Sequence, residues 1–147
     1  MTTPRANPTI TFIITMTNMQ ELPLEQISTI FTFSERYSGF CEILILAGEA
    51  EELEIKLAWL AMKLHGINHP HVRTRMVRYP TQLSLMNLLE TTINFALGQK
   101  IMMTTNSPEI REEIKKMTKK NILITKSLHN ADTIQKILTK IMPSTQT

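Results

Sequence analysis

The stretch ITFIITMTNMQELPLEQISTIFTFSERYSGFCEILIL, residues 10–46, decides the fold of this chain. Its first seven residues, Ile10–Met16, are rich in β-branched side chains and run into a Thr-Asn turn signal, which is typical of a strand. Residues 24–37 then repeat apolar side chains at helical spacing, behind a proline that suits a helix start. A second apolar run follows at 42–46. This strand–helix–strand order predicts parallel strands and an α/β fold.

The same alternation continues along the whole chain. Five strand–helix units predict a three-layer α/β sandwich with a mainly parallel five-stranded sheet and right-handed crossovers. We expect a single domain over residues 1–147, with polar tails at 1–8 and 143–147. The further predicted elements are a helix at 49–65 closed by Gly66, a strand at Val72–Arg78, a helix at 83–97, a strand at 101–104, a helix opening at Pro108, a strand at 122–125 and a helix at 131–142.

The third predicted strand differs from the first two. Arg73 and Arg75 alternate with less polar residues in Val72–Arg78, whereas the first two strands are continuously apolar. A strand covered on both faces has a continuous apolar run, and a strand partly in water alternates. We therefore predict strand three at a sheet edge. The helix at 49–65 is predicted to bury an apolar face made of Leu53, Leu57, Leu60, Ala61 and Leu64.

Composition excludes several classes of protein. The single cysteine excludes a disulfide framework and a multi-cysteine zinc site. The net charge of +3 and an aromatic content of 5% argue against a nucleic-acid binder. No apolar run reaches the roughly 18 residues of a membrane helix, and residues 1–8 lack the features of a signal peptide. We expect a cytoplasmic protein without a transmembrane segment.

Two clusters could carry chemistry but have plainer explanations. The histidines at positions 65, 69 and 71 fall before strand three, at the amino end of the sheet, where we expect a solvated loop rather than a metal site. Cys41 opens strand two, where a small buried side chain is expected rather than a nucleophile. We predict no metal and no cofactor.

Ligands of open α/β sheets bind beyond the carboxyl ends of the strands, where the strand order reverses. Those ends carry small polar residues here, with Glu49 as the single acid. The glycine motif of dinucleotide-binding folds is absent after strand one, and a phosphate-binding P-loop is absent as well. Ordinary turn and cap chemistry of Thr, Asn and Ser is the competing interpretation.

The segment order resembles the opening of the family 2 glycosyltransferases of the GT-A fold, such as the dolichol-phosphate mannose synthases. In that family strand one ends in a P-x-Y-N-E-type motif and the next helix begins near Leu-Pro, which Asn18 and Leu22-Pro23 match here. Residues 72–107 are similar to the family's third strand, then to a helix ending in Ala-x-Gly, here Ala96 and Gly98, and then to a strand leading into a D-x-D motif. Their sequence is VRTRMVRYPTQLSLMNLLETTINFALGQKIMMTTNS. The resemblance covers about residues 9–107 and implies strand order 3-2-1-4, with strand five beside strand four.

The acids that the family uses are missing. Its Asp pair after strand two corresponds to Ala47-Gly48, and its D-x-D positions fall on residues 105–107, Thr-Asn-Ser. Hydroxyls and amides bind Mg²⁺ or Mn²⁺ far more weakly than carboxylates do. The resemblance therefore implies a degenerate glycosyltransferase-like domain with no catalytic residue and no working metal-dependent transfer. The candidate nucleotide-binding residues are Thr15, Thr17, Asn18, Ala47, Gly48, Thr105, Asn106 and Ser107.

Three functional hypotheses stay open at this point. The first is a weak nucleotide or nucleotide-sugar binder, or an interaction module. The second is a genuine glycosyltransferase completed by a partner chain, and the third is a flavodoxin-like binder of another phosphate ligand. Only about forty residues follow the D-x-D positions, and IMMTT and NILIT carry no charge to guard a strand edge. We therefore expect a homodimer that contacts through the last forty residues.

Overall fold

The computed structural model describes residues 10–16, 23–37, 39–47, 51–78, 85–98, 100–104, 108–116, 121–125 and 134–136. Its elements, in chain order, are β1 (Ile10–Met16), α1 (Leu24–Arg36), β2 (Cys41–Ala47), α2 (Glu52–Ile67), β3 (Val72–Arg78), α3 (Leu85–Phe95), β4 (Lys100–Thr104), α4 (Pro108–Lys115) and β5 (Asn121–Thr125).

The five strands form one parallel sheet in the order β3-β2-β1-β4-β5. This order confirms the prediction from the sequence, including β3 at one edge. Strands β1 and β2 are buried at every position, whereas only Val72 is buried in β3. The alternation of the arginines therefore located the sheet edge correctly.

Two apolar clusters lie on the two faces of the sheet. One packs α1 and α2 against β1 and β2, and Ile134 also belongs to it. The other packs Ile93 of α3, Ala96 just after α3 and Ile114 of α4 against the opposite face. Helices thus cover both faces, which explains why the central strands are continuously apolar. None of the helices that the structure describes is long and apolar enough to cross a membrane.

Helix α2 turns a different face toward the sheet than its leucines predicted. The buried residues are Ile55, Ala58 and Met62. The four leucines predicted to be buried are exposed, from 39% at Leu57 to 66% at Leu53. The helix also continues through Gly66 to Ile67, so Gly66 does not close it. The prediction failed because α2 is apolar on two opposite faces, and hydrophobic periodicity alone cannot choose between them.

The large exposed apolar side chains of the described residues lie outside the last forty residues, through which a dimer contact is expected. These side chains are Leu24, Phe40, Leu53, Leu57, Trp59, Leu60, Leu64 and Ile67. Strand β4 lies between β1 and β5, so it has no free edge. Strand β5 lies at the other edge of the sheet and pairs only with β4 among the described strands, so the expected contact through the last forty residues stays a prediction.

Candidate functional site

The order in which the chain adds strands to the parallel sheet reverses between β1 and β4. From β1 the chain moves outward to β2 and β3, then returns to β4 on the other side of β1. Such a switch point leaves a crevice at the carboxyl ends of the two strands, because the connections leave in opposite directions. Met16 lies beside Ala47 at this end, and Ile14 lies beside Thr104. The ends of three adjacent strands thus meet at one place.

Two of the eight candidate residues lie in the described part of the chain, and both are at this carboxyl end. Thr15 donates its hydroxyl to the Thr104 carbonyl oxygen, with 3.4 Å between the oxygens, and Ala47 is buried at the end of β2. The sheet register brings β1, β2 and β4 together, as the prediction requires. The six others, Thr17, Asn18, Gly48, Thr105, Asn106 and Ser107, lie outside the described residues.

Thr104 adds a polar atom that the sequence analysis did not single out. Its Oγ1 is buried and makes no hydrogen bond within the described structure. A buried hydroxyl without a partner costs about 1–3 kcal/mol, so such groups in native proteins call for an explanation. Here the unsatisfied hydroxyl belongs to the last residue of the strand that borders the crevice.

A shallow groove of about 330 Å³ lies between α2 and β3, at the edge of the sheet. At one end the Arg78 guanidinium pairs with the Glu52 carboxylate. The Trp59 ring forms part of the wall, and the Lys63 ammonium lies 4.2 Å from its centroid. Both members of the ion pair are more than half exposed, so the pair contributes little to stability. The groove thus presents an aromatic ring beside a loosely held pair of charges.

A buried polar network occupies the opposite, amino end of the sheet. The Glu42 side chain is fully buried and accepts three hydrogen bonds: from the Thr11 hydroxyl at 2.8 Å, from Arg75 Nε at 2.7 Å and from the Leu97 amide at 3.0 Å. A buried carboxylate is very costly unless it is paired and hydrogen-bonded, and Glu42 is both. Sequence analysis missed this network, although a lone acid in an apolar strand was a visible signal.

Gly98 completes this network where the chain leaves α3. Its amide donates to the Thr11 hydroxyl over 2.8 Å. A Cβ at Gly98 would stand 2.5 Å from the Thr11 backbone nitrogen and 2.7 Å from the Ile10 carbonyl carbon. Only glycine permits so close an approach of two backbones. The network is therefore a structural clasp between β1, β2, β3 and the segment entering β4.

The three histidines form a second clasp at the same end. The His69 ring makes two hydrogen bonds: Nε2 lies 2.8 Å from Glu35 Oε2, and Nδ1 lies 2.7 Å from the His65 carbonyl oxygen. The His69 side chain is only 12% exposed. The hydrogen bond to the His65 carbonyl, followed by that to Glu35, raises the pKa of His69. The His65 ring stacks on Phe31, with 5.0 Å between centroids. The expectation of a solvated loop is therefore wrong.

These histidines do not assemble a metal site. Nowhere in the described ranges do three His, Cys, Asp or Glu side chains converge on a position for a metal ion. Cys41 is fully buried, and burial raises the pKa of its thiol to about 12. A thiol with so high a pKa stays protonated and unreactive at neutral pH, which confirms its interpretation as a small buried side chain.

Comparison with models of known protein families gives no match for this chain, and comparison with curated proteins gives none either.

Proposed function

We propose that this domain binds a nucleotide or nucleotide-sugar at the crevice between β1 and β4 without metal-dependent transfer chemistry. The observation that carries the proposal is the strand order β3-β2-β1-β4-β5, which places its switch point between those two strands. In open parallel sheets such a point is the usual ligand site. The resemblance to the family 2 glycosyltransferases supports a nucleotide as the ligand class.

The polar groups of the crevice fit a neutral, hydroxyl-rich site. The Thr15 hydroxyl donates a hydrogen bond to the Thr104 carbonyl oxygen. The Thr104 hydroxyl has no protein partner within the described structure. The segments that leave β1 and β4 continue with Thr, Asn and Ser. Hydroxyls and amides suit the hydrogen-bonding edges of a base or ribose. They are poor ligands for the hard cations that neutralise a sugar diphosphate.

The alternatives are not equally supported. The flavodoxin-like hypothesis implies the strand order 2-1-3-4-5, and this sheet has a different order. A glycosyltransferase completed by a partner chain would use the same crevice, with the missing acids supplied from outside. Both remaining hypotheses thus predict that added metal does not strengthen nucleotide binding to this chain alone, and they differ in whether a partner chain restores metal-dependent transfer.

Calorimetric titration tests the nucleotide binding that both hypotheses require and the lack of a metal site in this chain. We expect uridine or guanosine diphosphate to bind with a dissociation constant of about 0.1–1 mM, and Mn²⁺ to leave that constant unchanged. Restoring acids with Thr105→Asp and Ser107→Asp together should create a metal site, so Mn²⁺ should then tighten nucleotide binding about tenfold. The matched control carries the same two charges on exposed helix positions, Thr32→Asp with Thr91→Asp, and should stay indifferent to Mn²⁺.

Two results would contradict the proposal. Absence of heat with both nucleotides at millimolar concentration would remove nucleotide binding. Tighter binding by the unaltered chain when Mn²⁺ is added would show a metal site in this chain, which the proposal denies.

A further inference from the structure

Helix α2 is apolar on two faces, and only one of them is used within the chain. Ile55, Ala58 and Met62 pack into the core. On the opposite side an outer stripe is left to solvent, with exposures from 39% to 73%. The outer stripe consists of Leu53, Leu57, Leu60, Leu64 and Ile67. A contiguous apolar surface left to solvent usually marks an interaction site, so the outer stripe points to a partner.

The spacing of the outer stripe specifies what kind of partner fits. Its members follow one another at intervals of four, three, four and three residues. This is the heptad spacing of a coiled-coil seam, in which each side chain enters a hole between side chains of a second helix. A lipid surface or a sheet edge does not require that spacing. The acids at the start of α2, Glu51, Glu52 and Glu54, also disfavour an anionic membrane surface.

We propose that the outer stripe pairs antiparallel with the outer stripe of a second copy of this chain. In this arrangement Leu53 packs against Leu64 of the partner subunit, and Leu57 against Leu60 of the partner subunit. The two-fold axis repeats both layers, so four layers consist of leucine alone. An interface of this kind is self-complementary, as a two-fold dimer requires. It is a different contact from the one through the last forty residues that the sequence suggested.

The area available predicts a weak dimer rather than an obligate one. Covering a leucine removes on the order of 100 Å² from water, and the members of the outer stripe are about half exposed on average. With the flanking residues, the interface totals roughly 1,000 Å², the lower limit for a specific contact. A dissociation constant of about 1–100 µM follows from so small an interface.

Charges beside the outer stripe make the pairing sensitive to salt. Lys56 and Lys63 flank the same side of it, and antiparallel pairing brings Lys56 of one copy near the partner's Lys63. Like charges at such positions oppose association, and salt screens them. The dimer is therefore expected to tighten as ionic strength rises. Lys63→Glu should tighten it about fivefold at low salt, because it turns two repulsive pairs into attractive ones.

Sedimentation of the full chain over a concentration series tests the proposal. The unaltered chain should move from 16.9 kDa toward twice that mass, and Leu60→Glu should stay at the monomer mass while keeping its helical signal and melting temperature. Leu24→Glu is the matched control, because Leu24 is an exposed leucine on another helix. It should dimerise as the unaltered chain does.

Disulfide trapping tests the direction of pairing. Cys41 is buried, so an introduced cysteine is the accessible one. A mixture of Leu53→Cys and Leu64→Cys should cross-link on mild oxidation, whereas either variant alone should not. A monomer at all concentrations, a dimer that survives Leu60→Glu, or cross-linking of the single variants would each overturn the proposal. So would a monomer that floats with anionic or neutral vesicles in a Leu60-dependent way.

Discussion

Gly98 lies where the backbone leaves no room for a side chain. Its amide contacts the Thr11 hydroxyl, and its Cα faces the β1 backbone with no room for a side chain. Gly98→Ala should lower the free energy of unfolding by about 3 kcal/mol, because the clashing atoms are backbone and cannot rotate away. Urea denaturation of the two proteins measures this difference.

Gly66 provides the control for that substitution. Nothing lies within 4 Å of a Cβ built on it, and it sits inside α2. Gly66→Ala should therefore raise the free energy of unfolding by about 0.5–1 kcal/mol through helix propensity alone. Equal effects at the two glycines would show that the close approach at Gly98 is not real.

His69 makes the stability of the fold depend on pH. The His65 carbonyl and Glu35 raise its pKa in the folded state, so folding favours the protonated ring. The stabilisation is complete below the unfolded pKa of about 6.5 and is lost as pH rises through the raised folded value. His69→Gln should therefore cost most stability near about pH 5.5 and least near about pH 9.

Denaturation of the unaltered protein and the His69→Gln variant at these pH values checks the expectation, with Glu35→Gln as an intermediate case. A stability difference between the unaltered protein and the His69→Gln variant that grows with pH would contradict the assigned hydrogen bonds.

Helix α2 shows best how far sequence reasoning reaches at the scale of an element. Its position between β2 and β3 follows from the apolar period, but its orientation does not, since both faces are apolar. The structure predicts that Met62→Ala lowers the free energy of unfolding by about 2–4 kcal/mol, because Met62 is fully buried. Leu64→Ala should change it by less than about 1 kcal/mol in the monomer.

Chemical denaturation at concentrations below the dimer dissociation constant compares the two variants without interference from association. The sequence-based assignment of the inward face demands the reverse order of effects. If Leu64→Ala lowers the free energy of unfolding more than Met62→Ala does, the leucine face of α2 is the buried one, and the outer stripe is not an exposed surface.

The strands were predictable for a different reason. Strands β1 and β2 lie at the sheet centre under helices on both faces, so almost every side chain is apolar and the pattern is unambiguous. The arginines of β3 marked the edge, but Arg75 also reaches back to the buried Glu42 carboxylate. Such a long-range pair joins residues that are 33 positions apart, and no local pattern records it.

At the scale of the whole molecule, strand order and candidate site are linked. The order β3-β2-β1-β4-β5 places the crevice between β1 and β4. The sequence predicted which strand ends would meet there. It did not predict the Thr104 hydroxyl without a partner in the described structure, because burial of that atom depends on the packing of several elements at once. The clasps at the amino end were missed for the same reason.

Amide chemical-shift mapping during a titration with uridine diphosphate tests the central claim most directly. The account predicts that the largest shifts fall at the carboxyl ends of β1, β2 and β4, around Met16, Ala47 and Thr104, with or without Mn²⁺. Glu42 and Gly98, at the amino end, should shift little. Absence of any shift at millimolar nucleotide, or shifts concentrated at the amino end, would contradict nucleotide binding at the crevice.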